Sequence, residues 1–201
     1  MSRSQFPLFQ SHLDLAHRYW QEIIRPGDHV VDATCGNGHD TLALAKMAIT
    51  PEKGRVTAID IQPNAIEATK KLVQTQLSYE ITSRIDFVTG CHSFLENQFP
   101  RQSIKLIVYN LGYLPGTDKS LTTNVHTTWQ SIQEALELIA YGGAISVTCY
   151  PGHPEGKLEE DYLIQQVALL DPKEWSCCHH RWLNRRSSPS LLLLQRKVFT
   201  T

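Results

Sequence analysis

The sequence predicts an α/β domain in which a mostly parallel sheet carries helices on both faces and ends in an antiparallel hairpin. Two patterns carry this expectation. Short apolar runs of strand length alternate with helix-type apolar stripes through most of the chain, the signature of parallel βαβ units. Two last apolar runs are then joined by a short turn with no helix between them. At 201 residues, one domain over 1–201 is favoured, long enough to bury a sizeable core.

The elements follow in order. An apolar stripe of Leu13, Leu15, Ala16, Trp20, Ile23 and Ile24 predicts a helix over about 11–24, stopped by Pro26-Gly27. A strand over 29–33 leads through a glycine-containing turn into a helix from about Thr41, and a strand over 55–60 ends at Asp60. Pro63 suits the first turn of the next helix, which runs to about Leu77. Strands are expected over 85–89 and 104–109, then a helix from about Thr123 to Ala140 capped by Gly142-Gly143. A fifth strand over 144–150, a helix to about Leu170, and strands over 175–183 and 190–195 complete the chain. Five parallel strands and a terminal hairpin resemble the Rossmann-like, seven-stranded class I methyltransferase fold, whose last strand inserts antiparallel beside the fifth.

Composition narrows the function classes. Hydrophobic residues are 41% and charged residues 19%, ordinary proportions for a folded protein. No apolar run approaches a membrane span, and Met1 to Phe6 lack the apolar core of a secretion signal. The expected location is the cytoplasm. Five cysteines without a CxxC pair argue against a disulfide framework. In Cys177-Cys178-His179-His180, neighbours on a strand face opposite ways and do not converge on one ion, so no metal is expected. The net charge of −1 leaves nucleic-acid binding to a local patch. Arg181, Arg185 and Arg186, with Arg196 and Lys197 nearby, form the candidate; a solvated hairpin end reads equally well.

Ligands of open α/β sheets sit beyond the carboxyl ends of the strands, where strand order reverses. The first strand ends in Asp32-Ala33-Thr34-Cys35-Gly36-Asn37-Gly38-His39-Asp40-Thr41. Gly36 and Gly38 permit a tight turn and close approach to a ligand. A dinucleotide site that used Gly36 and Gly38 as its first two glycines would carry a third where Thr41 stands. The carboxylate of Asp32 suits a ligand bearing an ammonium and a sulfonium rather than a phosphate. S-adenosylmethionine fits that charge pattern. Asp60 is placed to accept from both ribose hydroxyls. The candidate cofactor residues are Asp32, Thr34, Gly36, Asn37, Gly38, Asp40, Thr41, Asp60, Gln62, His92 and Asn110. His92 lies in Gly90-Cys91-His92-Ser93, where many methyltransferases carry an acid for adenine, so His92 or the backbone is the substitute.

After the fourth strand stands Asn110-Leu111-Gly112-Tyr113-Leu114-Pro115-Gly116-Thr117-Asp118-Lys119. It resembles the Asn-Pro-Pro-Tyr segment of amino-group methyltransferases. There the Asn oxygen and a backbone carbonyl accept from the amine and aim its lone pair for in-line displacement, and Tyr113 would stack on a planar base. The fifth strand leads into Tyr150-Pro151-Gly152-His153-Pro154-Glu155-Gly156, where His153 is expected to touch substrate or handle a proton.

Taken together, the Asp32–Thr41, Asn110–Lys119 and Tyr150–Gly156 segments resemble the YtqB-type (MnmM-like) family of class I S-adenosylmethionine-dependent methyltransferases, long described as rRNA methylases. The resemblance implies methyl transfer to tRNA 5-aminomethyluridine at wobble position 34, with S-adenosylhomocysteine as coproduct. It makes Asn110, Tyr113, His153 and Asp118 the catalytic candidates. Tyr113, Lys119, Tyr150, His153, Arg185 and Arg186 are the candidate substrate-binding residues, and the implied partner is a tRNA anticodon stem-loop. The enzyme must bind or generate the neutral amine; a low-dielectric pocket depresses the amine pKa, and His153 or Asp118 accepts the proton. Carbon-5 methylation would want a Pro-Cys nucleophile, which the sequence lacks, leaving Cys35, Cys91 and Cys149 as packing residues. Alternative acceptors are rRNA, a protein amine or a small molecule. A non-catalytic binding module and a nicotinamide enzyme are the other classes, and a homodimer is a candidate assembly.

Overall fold

A computed structural model describes residues 11–93, 95, 98–112, 125–185 and 187–199. The elements are α1 (His12–Ile23), β1 (His29–Asp32), α2 (His39–Ala48), β2 (Arg55–Asp60), α3 (Pro63–Gln76), the short α4 (Tyr79–Thr82) and β3 (Ile85–Thr89). There follow β4 (Ile104–Asn110), α5 (Val125–Leu138), β5 (Ile139–Cys149), α6 (Pro154–Val167), β6 (Trp175–His180) and β7 (Ser190–Arg196).

The sheet has seven strands in the order β3-β2-β1-β4-β5-β7-β6. Strands β1 to β5 run parallel, and β7 inserts antiparallel between β5 and β6. This is the expected class I methyltransferase topology. Chain order reverses between β1 and β4, so the carboxyl ends of those two strands frame the ligand crevice.

Strand periodicity divides the core into two layers. Val31, Ile59, Ile107 and Ile145 pack with Ile132 and Ala135 of α5 and Leu163 of α6. Their neighbours Val30, Val56, Leu106 and Ala144 pack with Ala16 and Trp20 of α1, Leu44 of α2 and Val73 of α3. Runs such as Ile107-Val108-Tyr109, buried on both faces, therefore read as continuously apolar rather than alternating.

The strand expected over 175–183 stops early, at His180, but the largest difference from expectation lies after the fifth helix. The fifth helix stops at Leu138, and Gly142-Gly143 lie inside β5 instead of capping it. Ile139 is fully buried and pairs with Ile104, while Leu106 pairs with Ala144, so the residues between bulge outward. Gly142 takes a φ of 70° there, a region other residues enter at a penalty. Arg196 donates to the Ile139 carbonyl across 2.6 Å and lies over the Tyr141 ring. Strand pairing and that guanidinium outcompete another helical turn.

The candidate basic patch is also smaller than expected. Arg196 serves the β5 bulge, and Lys197 pairs with Glu174. Both lie at the far end of β7 from the Arg185 turn, about 20 Å away at strand rise. Arg185 stacks over Trp182, 4.2 Å from its ring centre. Arg186 lies outside the described residues.

Candidate active site

The crevice is built from backbone strain and a dense set of short polar contacts. After β1 the chain turns through Gly36 and Gly38, with φ values of 51° and 83°. A Cβ on Gly38 would stand 2.8 Å from the Thr69 Cα, so glycine there serves both the left-handed turn and the close approach of α3. The Gly36 carbonyl accepts from Thr69 Oγ1 at 3.0 Å. The turn is thus held from behind, leaving its other side for a ligand.

Asp60 closes β2 and holds the same loop. One of its oxygens accepts from the Gly36 N–H at 3.0 Å, the other from the Gln62 N–H at 2.9 Å. Each carboxylate oxygen keeps acceptor capacity, and the residue is only partly buried. That combination fits the two hydroxyls of a ribose.

Asp32 sits differently from the sequence expectation of a charge facing the ligand. It is fully buried, accepts from Thr41 Oγ1 at 2.6 Å and from the Thr34 N–H at 3.4 Å. Burial, followed by the nearby Asp40 charge, pushes its carboxyl up to about 7, against the pull of those two hydrogen bonds. Its influence on a ligand passes through the loop it orders. Thr34 in turn accepts from the Asn110 N–H at 2.6 Å, tying the β1 loop to the end of β4.

Asn110 is the central polar group. Its Nδ2 donates to Asp40 across 2.8 Å, while its Oδ1 is buried without a hydrogen-bond partner among the described residues. A buried acceptor left open in this way carries a desolvation penalty, which an incoming donor relieves. Asp40 also meets His17 Nε2 at 2.7 Å. Tyr150, after β5, lies beside Gly112 and approaches His12 Nε2 at 3.4 Å. Burial raises its phenol, as does the Asp40 charge.

His92, after β3, has a buried Nδ1 that likewise lacks a partner among the described residues. Burial pushes its imidazole down to about 4, so it is neutral at physiological pH and able to face a purine edge. Its carbonyl accepts from Ser131 at 2.6 Å. His153 is the N-cap of α6, its Nδ1 accepting from the Gly156 N–H at 3.1 Å. The cysteines behave as packing groups: Cys35 and Cys149 are buried, and burial raises both thiols. Cys91 rests 3.1 Å from Ser93 Oγ.

The structure therefore gathers Asp32, Thr34, Gly36, Gly38, Asp40, Thr41, Asp60, Gln62 and Asn110 around one crevice through direct contacts. Tyr113, Asp118 and Lys119 lie outside the described residues. His12 and His17, from α1, were not expected. An apolar stripe announces that a helix packs, not which polar side chains on its flank reach a site.

Comparison with known proteins places this geometry. Residues 56–196 match the family described as "Putative rRNA methylase". The chain is 36% identical, over 92% of its length and 69% of the relative's, to the chloroplastic tRNA (mnm(5)s(2)U34)-methyltransferase of Arabidopsis thaliana. A Clostridium thermocellum crystal structure carrying the same description as the family superposes with a TM-score of 0.87 at 31% identity, covering 94% of this chain and 98% of the other. A "putative methyltransferase" of Streptococcus mutans, crystallised with SAH, superposes at 0.80 and 25% identity, covering 94% and 99%. Among the described residues no helix is long and apolar enough to cross a membrane. With fold, crevice and relatives in agreement, the chain belongs to the rRNA-methylase family of YtqB- and MnmM-like proteins and is an S-adenosylmethionine-dependent methyltransferase.

Proposed function

We propose that this chain methylates the amine of 5-aminomethyluridine at tRNA position 34, giving 5-methylaminomethyluridine. The observation that carries the reading is the buried Asn110 Oδ1, open among the described residues, whose amide nitrogen is already committed to Asp40. That oxygen can only accept, so it suits an N–H donor such as an amine. The Arabidopsis relative, named for the mnm(5)s(2)U34 position of tRNA, supports the same acceptor.

The proposed cofactor residues are the β1 loop, ordered from beneath by Asp32 and Thr41, with Asp60 on the ribose and His92 near the base. When bound, S-adenosylmethionine supplies a sulfonium-borne methyl group for in-line displacement by an acceptor lone pair. The chain's own work is positional. Asn110 Oδ1 accepts one amine hydrogen and turns the nitrogen lone pair away from itself, fixing a near-attack geometry. Partial burial around Asn110 and Tyr150 works against an alkylammonium and toward the neutral amine, opposed by the nearby Asp40 charge. Tyr113, Asp118 and Lys119 are proposed from their motif to stack on the base and contact the substrate, with His153 at the neighbouring rim. Arg185 and Arg186 are proposed to meet tRNA phosphates.

The test is in vitro transfer. The purified protein is incubated with methyl-labelled S-adenosylmethionine and tRNA from a strain lacking its gene, and the nucleosides are then separated. Label in 5-methylaminomethyluridine is the expected result. Label confined to rRNA, or to a ring carbon of any base, would overturn the amine reading.

A further inference from the structure

Helix α1 stands outside the alternating strand–helix pattern, yet it is anchored at several points. Its N-terminus is closed by a reciprocal Ser11–Asp14 capping box. Ala16 and Trp20 are buried, and Trp20 Nε1 donates to Ser146 Oγ on β5 across 3.0 Å. His17 packs its ring on Trp20 with centroids 4.6 Å apart. The helix thus presents His17 Nε2 to one Asp40 oxygen at 2.7 Å, while the other oxygen holds Asn110 Nδ2 at 2.8 Å.

This three-residue chain decides which way the Asn110 amide faces. Reversed, the amide would set its oxygen against a carboxylate and turn its donors into the crevice. With Asp40 in place only the observed orientation is favourable. The Asp40 side chain is 12% exposed, so water competes weakly for it. His17 holds Asp40 in the rotamer that reaches Asn110.

We propose that His17 and Asp40 are positioning residues for methyl transfer: through them α1 completes the active site by fixing Asn110 with its oxygen toward the acceptor. The inference rests on the amine reading for the acceptor's identity, but the orientation of Asn110 is a property of the protein alone. Misplacing a reacting group by about 1 Å can slow a reaction on the order of a hundredfold, which is why residues that act only through Asn110 matter to rate.

Two measurements test it. The first is solvent exchange of the Asn110 side-chain amide, read by NMR on asparagine-labelled protein. In the wild type it is expected to be slow. In Asp40→Ala it should quicken about tenfold or more, the loss expected when a hydrogen bond to a charged group is removed. Asp40→Asn, which keeps volume and an acceptor oxygen, should fall between, and guards against a variant that does not fold. Equal exchange in wild type and a folded Asp40 variant would overturn the proposal. The second is turnover: His17→Ala should lower kcat about tenfold or more with the KM for S-adenosylmethionine within about threefold, and His17→Gln, which keeps a donor for Asp40, should restore most of it. Wild-type turnover in His17→Ala, or a change in KM alone, would overturn the proposal. Absence of wild-type transfer to the wobble amine would instead sink the acceptor assignment, and the exchange measurement would still decide the positioning claim.

Discussion

Thr41 Oγ1 donates to Asp32 Oδ2 across 2.6 Å in a place no solvent reaches. The burial that surrounds this contact, at the base of the cofactor loop, makes the fold sensitive to pH. Burial raises the Asp32 carboxyl to about 7, so the folded protein holds a proton that the unfolded chain releases near pH 4. Between those values the native state binds more protons, and the Asp32 contribution to stability falls as pH rises. Asp32→Asn should flatten that slope. Urea unfolding at pH 5 and pH 8 would show a smaller loss for the variant than for the wild type, by about 1 kcal/mol or more. Parallel slopes would mean that Asp32 titrates normally.

A second prediction concerns Gly38. Alanine there must adopt a φ of 83° and place its Cβ against the Thr69 backbone. The left-handed conformation alone costs about 1–2 kcal/mol, and backbone has little room to yield. Gly38→Ala should lower stability by about 2 kcal/mol or more in denaturant titration, and weaken S-adenosylmethionine binding in calorimetry.

Binding and chemistry should separate at two residues. Asn110→Ala is expected to abolish methyl transfer while calorimetry finds cofactor affinity within a few fold. Asp60→Ala removes the acceptor for the Gly36 and Gln62 amides and should weaken the cofactor about tenfold or more, the scale of a lost charged hydrogen bond. The reverse pattern would exchange the two roles.

Acid stability should depend on Glu160, buried on α6. Burial alone would raise its carboxyl, but His179 Nε2 at 3.4 Å, the hydrogen bond from Ser190 and the Lys157 charge bring it down to about 2. Its ionised form therefore stabilises the fold above the ordinary carboxylate range, and that stabilisation is lost as pH falls toward 2. Ser190→Ala should move the acid unfolding midpoint to higher pH and cost about 1–3 kcal/mol near neutrality.

Much of the fold was legible because strand and helix periodicities rarely conflict here. The seven strands follow from runs such as Val30-Val31 and Leu191-Leu192-Leu193-Leu194, whereas their order and the antiparallel insertion of β7 were expected from the resemblance to the class I methyltransferase fold. Long-range competition was not legible. Gly142-Gly143 read as a helix cap because local sequence carries no trace of Arg196, some fifty residues on, reaching the Ile139 carbonyl. The crevice followed the same rule. Gly36, Gly38 and Asp60 stand out from their strand-end positions alone. Whether Asp32 faces a ligand or Thr41, and whether α1 lends His17 to Asp40, depends on packing that periodicity does not encode.

The most direct test of the amine acceptor is nucleoside mass spectrometry of tRNA from a strain that makes the aminomethyl precursor and lacks this gene. The account predicts that 5-aminomethyluridine derivatives accumulate, that their N-methylated forms disappear, and that wild-type protein but not Asn110→Ala restores them. Unchanged wobble nucleosides in the deletion strain, or full restoration by Asn110→Ala, would contradict it.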